Sequence, residues 1–179
     1  MEFGKFHSQL ELPFQETKQI FLKDIFLILE KNFNLTKNSK QRFVDLGSGN
    51  AQVIIYCAIN CEIKSVGIEI DPILIKEAKR SISLLRLRTN LDPRVLNKII
   101  LISGDFYNHD LTRYDYVYIF SLPTMQKYLK HIFLTAKKGA IIISHMYPLK
   151  GFVQFLAKKF KISHKEYNKK VFTYFYERF

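Results

Sequence analysis

Arg42-Phe43-Val44-Asp45-Leu46-Gly47-Ser48-Gly49-Asn50-Ala51, with the apolar segment 52–60 behind it, decides how this chain is read. An apolar run ends on an acid, two glycines come within one turn, and a segment of helical length begins at Gln52. Glycine admits left-handed backbone and lets a ligand approach the main chain, while the first amides of the next helix point back at that ligand. The stretch therefore predicts a strand, a glycine turn and a helix, the arrangement of a nucleotide-type binding turn. The residues before it are expected to cap the site, and those after it to build the sheet.

The flanking sequence repeats the same rhythm. Residues 65–70 (Ser-Val-Gly-Ile-Glu-Ile) read as a second strand meeting Asp71-Pro72, where Pro72 suits the first position of a helix. Residues 98–103 lead into Gly104-Asp105-Phe106, residues 115–120 into Ser121-Leu122-Pro123, and residues 140–144 into His145, giving third, fourth and fifth strands. Continuous β-branched runs separated by helical stretches predict a parallel sheet buried on both faces. Residues 160–167 and 170–176, joined by a short polar turn, predict a terminal antiparallel hairpin. Upstream, residues 16–32 place Ile20, Phe21, Ile25, Phe26 and Leu29 at helical spacing, continued by Phe33, and predict an amphipathic helix. Residues 1–15 read as an extended arm.

Bulk properties bound the answer. With 179 residues, 47% of them hydrophobic, the chain fits one domain, 1–179, with residues 1–35 as a cap and 42–179 as a core. A net charge of +12 favours acidic, polyanionic or membrane partners. Lys, Ile, Asn, Phe and Tyr are abundant together, as AT-rich coding produces, so the charge says little about function. Cys57 and Cys61 stand four apart without a third cysteine; buried thiols in a reducing compartment are expected, and no metal. No apolar run approaches the roughly 20 residues of a membrane span, and the N-terminus does not read as a signal peptide. A cytoplasmic monomer is the expectation.

In open sheets of this kind ligands sit beyond the carboxyl ends of the strands. Those ends are Asp45, Glu69, Asp105, residues 120–123 and His145. A dinucleotide turn wants a third glycine where this chain has Gln52, and seldom an acid two residues before the first glycine. Asp45 suits a ligand with an ammonium group. Glu69, 20 residues beyond Gly49, is placed to accept from ribose hydroxyls. Asp105 is placed to accept from an adenine amino group, with Phe106 or Ile70 against the ring. Ammonium, ribose and adenine together describe S-adenosylmethionine.

Asp45-Leu46-Gly47-Ser48-Gly49, Gly67-Ile68-Glu69-Ile70-Asp71 and Gly104-Asp105-Phe106 resemble the first three cofactor motifs of class I S-adenosylmethionine-dependent methyltransferases. The likeness covers roughly residues 12–177. It implies an α/β, Rossmann-like fold whose seven-stranded, mostly parallel sheet ends in an antiparallel hairpin, with helices on both faces. It assigns cofactor contacts to Asp45, Leu46, Gly47, Ser48, Gly49, Glu69, Ile70, Asp71, Asp105, Phe106 and Phe120. Pro13-Phe14 to Thr17, Phe120-Ser121-Leu122-Pro123 and Ser144-His145 are similar to a narrower group, the small archaeal and mitochondrial-type protein-lysine methyltransferases, which methylate an ATP synthase subunit or the ADP/ATP carrier. That resemblance implies an acceptor site at Phe14, Thr17, Phe120, Ser121, Pro123 and His145, and a protein-lysine substrate, a membrane protein included. The group usually has Asp-Gly where this chain has Asn50-Ala51, and a hydroxylated aromatic where it has Phe14.

A lysine acceptor must arrive neutral, and the apolar residues Phe14, Phe120 and Leu122 would help strip its proton by desolvation. His145 is the candidate base, and equally a structural hydrogen-bonding group. Nucleic-acid amino methyltransferases generally place an Asn or Asp, two prolines and an aromatic after the fourth strand, and methylation of pyrimidine carbon needs a cysteine nucleophile at the site. Neither pattern is present. Another type of RNA methyltransferase is the alternative reading, since a basic chain binds phosphates. A non-catalytic cofactor-binding or assembly subunit is the third.

Overall fold

In the computed structural model, residues 17–88, 90–166 and 169–179 are described. The arm 1–15, with Phe14, lies outside the described residues, as does Tyr167. Strand β1 (Arg42–Leu46) is followed by α2 (Gln52–Cys61), β2 (Lys64–Glu69), α3 (Pro72–Arg88), a single turn α4 (Pro93–Leu96) and β3 (Ile99–Ser103). Then come β4 (Tyr116–Phe120), α5 (Lys130–Thr135), β5 (Ile141–His145), β6 (Leu156–Glu166) and β7 (Lys169–Arg178), with α1 (Gln19–Asn32) preceding them all. The sheet runs β3-β2-β1-β4-β5-β7-β6. Its first five strands are parallel, and β7 lies antiparallel to both β5 and β6. This is the α/β, Rossmann-like arrangement with a C-terminal antiparallel hairpin that the sequence predicts.

Why β1 sits in the middle is explained by its side chains. Phe43, Val44 and Leu46 are all essentially buried, so both faces need cover. One face carries Phe43, Tyr116, Tyr118, Ile141, Ile143 and Phe175 under α1, α2 and α3. The other carries Val44, Leu46, Val117, Ile119 and Ile142 under Leu129, Ile132 and Phe133 at the start and body of α5. The segment 146–155 completes that second layer with Leu149, Phe152 and Phe155 and without a helix. Leu22, Ile25 and Leu29 of α1 are fully buried, each contributing about 1.5–3 kcal/mol over exposure.

Several boundaries differ from the sequence expectation. Helix α1 begins at Gln19, after Thr17 and Lys18, and Ile20 is 66% exposed rather than part of the apolar face. Strand β2 stops at Glu69, leaving Ile70 outside it and 54% exposed. Strand β5 extends to include His145. Strand β6 starts four residues earlier than expected, at Leu156, with an irregularity between Lys158 and Phe160. Cys57 and Cys61 are free and buried on α2.

Candidate active site

The glycine turn is built by backbone that few residue types tolerate. Gly47 and Gly49 adopt φ of 80° and 52°, and Ala51, the N-cap of α2, adopts φ 70°. The Gly47 and Ser48 amides both donate to the Ile68 carbonyl, at 2.9 and 3.0 Å, which ties the turn to β2. The approach is close enough to require glycine there: a Cβ on Gly67 would stand 2.5 Å from Ser48 Oγ and 2.8 Å from Ile54 Cδ1. Ser48 itself is buried, and its Oγ makes no hydrogen bond among the described residues.

Glu69 has a second task that the sequence conceals. Its Oε2 accepts from the Gly49 amide at 2.8 Å, and its Oε1 from the Ile70 and Asp71 amides at 2.8 and 2.9 Å. A carboxylate offers about four lone-pair sites, so three amides leave little beyond one for a ribose hydroxyl. Glu69 is thus a clamp that joins the glycine turn to the β2 end, and its removal would orphan three amides. Asp71 and Asp105 also serve as caps. Asp71 Oδ1 accepts from the Ile73 amide at 2.7 Å ahead of α3, and Asp105 Oδ1 from the Tyr107 amide at 2.9 Å, starting the 3-10 turn Phe106–Asn108.

Asp45 is different in character. It is 3% exposed, and desolvation first, then the neighbouring Glu69, push its pKa well above the usual carboxylate value. A buried acid next to another acid is costly until a cation joins it. Phe106 lies against the turn, its Cε1 being 3.8 Å from where a Gly47 Cβ would be. Ile70, which is exposed, directly follows β2, and Asp105 and the half-buried Phe106 follow β3.

The expected acceptor side is brought together in part. Phe120 and His145 are register partners at the ends of β4 and β5. Phe120 is half-buried and meets Tyr147 edge-on, centroids 6.0 Å apart. Ser121 is fully buried, with its Oγ 3.4 Å from Ser144 Oγ, so its side chain faces the fold, and Pro123 is exposed. Thr17 is buried, and its Oγ1 lies 2.8 Å from the Tyr118 hydroxyl. His145 is 4% exposed, with Nδ1 2.8 Å from Thr173 Oγ1 and its ring stacked on Tyr118, centroids 6.2 Å apart. Sequence alone does not single out Tyr118, Tyr147 or Thr173; period-two alternation back from Phe120 points to Tyr118, whereas Thr173 depends on hairpin register.

A sheet of this order, with a glycine turn after β1 and acids at the ends of β2 and β3, is that of a class I methyltransferase. The ANTKMT methyltransferase domain matches residues 45–155, and the chain belongs to that family. Its cofactor is S-adenosylmethionine. No curated protein matches it in sequence. Among solved structures, an RNA methyltransferase from Salinibacter ruber in complex with S-adenosyl-L-homocysteine is similar at TM-score 0.69 and 20% identity, covering 90% of this chain and 93% of that one. A putative transferase from Pyrococcus horikoshii has TM-score 0.64 and 16% identity over 90% of this chain and 64% of its own. A putative tRNA (m1A22) methyltransferase from Streptococcus pneumoniae has TM-score 0.64 and 14% identity over 87% of this chain and 69% of its own. The chain thus spans a little under two thirds of the Pyrococcus protein. At such identities the likeness is one of fold.

Proposed function

We propose that this methyltransferase acts on a lysine amine of a protein. The observation that carries the reading is the acceptor mouth: Phe120 and Tyr147 form an aromatic edge at the β4 and β5 ends, and the next side chain, Ser121, is turned into the fold. An aromatic mouth desolvates an aliphatic ammonium and lowers its pKa, which favours the neutral form that attacks. Residues 120–123 offer no carboxamide or carboxylate at the β4 end to grip the edge of a nucleobase.

When bound, S-adenosylmethionine supplies an electrophilic methyl group on a sulfonium. The residues fit it: left-handed backbone at Gly47 and Gly49 allows close approach, Asp45 supplies an anion for the methionine ammonium, Glu69 keeps acceptor capacity for a ribose hydroxyl, and Asp105 and Phe106 flank the adenine position. Alignment and exclusion of water account for much of catalysis in such a displacement. No helix among the described residues is long and apolar enough to cross a membrane, and the substrate docks on the rim of residues 121–128 and 145–151.

A second reading, RNA, is favoured by one surface: Lys161 Nζ lies 3.8 Å from the Phe172 ring centroid, a basic and aromatic pairing on the hairpin. The neighbours from Salinibacter and Streptococcus are named as RNA and tRNA methyltransferases. To decide, a cell lysate is methylated with radioactive donor and the purified chain, then treated with protease or ribonuclease. Protease-sensitive label that maps to methyl-lysine by mass spectrometry is expected. Label lost only to ribonuclease would sink the lysine reading.

A further inference from the structure

Behind the acceptor mouth lies a line of buried polar groups that cofactor binding does not use. His145 Nδ1 is 2.8 Å from Thr173 Oγ1; Thr173 Oγ1 is 3.3 Å from His164 Nε2; His164 Nδ1 is 3.2 Å from Asp24 Oδ2. Thr173 is fully buried, His145 and His164 are 4% exposed, and the Asp24 side chain is 54% exposed. Four elements contribute one residue each: β5, β7, β6 and α1. One assignment of protons satisfies these three bonds together: His145 Nδ1–H donates to Thr173, the Thr173 hydroxyl donates to His164 Nε2, and His164 Nδ1–H donates to the Asp24 carboxylate.

We propose that this line is the proton exit of the reaction, carrying the proton of the acceptor amine from His145 to Asp24 and solvent. The inference rests on the lysine reading above. Amine methylation forms a C–N bond and breaks the methyl–sulfur bond, the sulfur keeping the electron pair as a thioether. A substrate that arrives as ammonium and leaves as methylammonium therefore releases one proton per transfer. His145, beside Phe120 at the strand ends, is 4% exposed, so a proton taken up there needs a path to solvent. The His145 imidazole takes it and gives up the proton on Nδ1. The Thr173 oxygen receives that proton while passing its own to His164 Nε2, and His164 passes the one on Nδ1 to Asp24. Nothing is oxidised or reduced, and no ring need carry a charge at rest.

The surroundings agree with transfer through neutral groups. Among the described residues, the titratable and charged groups facing the line include Asp24 from α1, Tyr118 from β4, and the two histidines themselves, with Asp45 beyond Tyr118. Burial lowers the pKa of His164 and Asp24 opposes that; burial raises the pKa of Tyr118. Phe21 packs on both rings, its centroid 6.0 Å from that of His145 and 4.5 Å from that of His164, and shields the line from water. An ordinary structural histidine pair has no need of an exposed carboxylate at one end and the acceptor mouth at the other.

The test compares Thr173→Val, which keeps the branched shape and deletes the hydroxyl, with Thr173→Ser, which keeps the hydroxyl, and with Asp24→Asn at the exposed end. Methyl transfer to the protein fraction of a lysate is measured from pH 6.5 to 9.5 at saturating cofactor, with S-adenosylhomocysteine affinity and thermal midpoint alongside. Thr173→Val is expected to lose at least about tenfold in rate at pH 7, to recover most of it towards pH 9.5, and to bind S-adenosylhomocysteine as the parent does. Thr173→Ser should retain the parent's profile, and Asp24→Asn should shift its rising limb to higher pH. A loss in Thr173→Val that is the same at every pH, or parent rates in both Thr173→Val and Asp24→Asn, overturns the exit path while leaving methyl-lysine formation intact. If the label is ribonuclease-sensitive instead, the lysine reading and the exit path fall together.

Discussion

At Asp45 the needs of folding and of binding oppose each other. Desolvation and Glu69 raise its pKa in a chain where it is 3% exposed. A carboxyl with a raised folded pKa contributes stability that is complete below the ordinary Asp value of about 4 and is lost as pH rises through the raised value. Asn does not titrate, so without cofactor the stability of Asp45→Asn relative to the parent should increase as pH rises above about 4, measured by urea unfolding at several pH values. On the proposed placement of the methionine ammonium at Asp45, the same substitution should weaken S-adenosylmethionine binding by about 1.5–3 kcal/mol, roughly 10- to 150-fold by calorimetry. Retained affinity would move the ammonium elsewhere. Ala51 shows a similar offset in the backbone. Its φ of 70° costs an L-residue roughly 1–2 kcal/mol, while its fully buried methyl contributes about 0.8 kcal/mol and glycine would cost about 0.5–1 kcal/mol in chain entropy. Ala51→Gly should therefore change stability by less than about 1 kcal/mol in either direction. A stabilisation well above that would show that the methyl contributes nothing. The magnitudes explain how this chain departs from Asp-Gly at 50–51 with little loss.

Among the elements, β2 owes its closeness to the glycine turn to one missing Cβ. In Gly67→Ala the added carbon meets Ser48 Oγ at 2.5 Å and both Ser48 Cβ and Ile54 Cδ1 at 2.8 Å, so the turn or α2 must move. Overpacking of this kind costs about 1–3 kcal/mol, and the shifted turn should also lose cofactor affinity, read by denaturation and calorimetry together. Gly104→Ala, where an added Cβ meets nothing within 4 Å, is the steric control for stability. Strands β1, β2, β4 and β5 are legible in the sequence because they are buried on both faces and rich in apolar residues, and the edge strand β3 because Ile99 to Ile102 are all apolar. The seam of α1 is not fully legible: helical spacing admits Ile20, yet Ile20 is 66% exposed while Phe21, Leu22 and Ile25 are buried. The site divides in the same way. Gly47, Gly49, Asp45 and Asp105 announce themselves by residue type at a strand end. The clamp by Glu69 uses backbone amides, which leave no mark in a sequence. His164 and Thr173 come together with His145 only through the register of β5, β6 and β7, set in part by the irregularity at Lys158 and Phe160.

For the molecule as a whole, the residues expected to hold the cofactor lie at the ends of β1, β2, β3 and β4, so a ligand there adds contacts across strands already joined by the sheet and by the Glu69 clamp. Such a ligand binds the folded chain and not the unfolded one, and at a hundred times its Kd it stabilises by about 2.7 kcal/mol. For a domain of this size each kcal/mol moves the midpoint by roughly 2–4 °C, so S-adenosylhomocysteine at that concentration should raise the Tm by roughly 5–11 °C. Nicotinamide dinucleotide at the same concentration should leave it unchanged. The third glycine that a pyrophosphate requires is replaced by Gln52, and Asp45 at the turn repels an anion. Equal shifts with both ligands would mean that the turn reads only adenosine. A shift confined to S-adenosylhomocysteine and reduced in Asp45→Asn would place its selectivity at the methionine end, where the buried acid makes the empty fold less stable and the filled one more so.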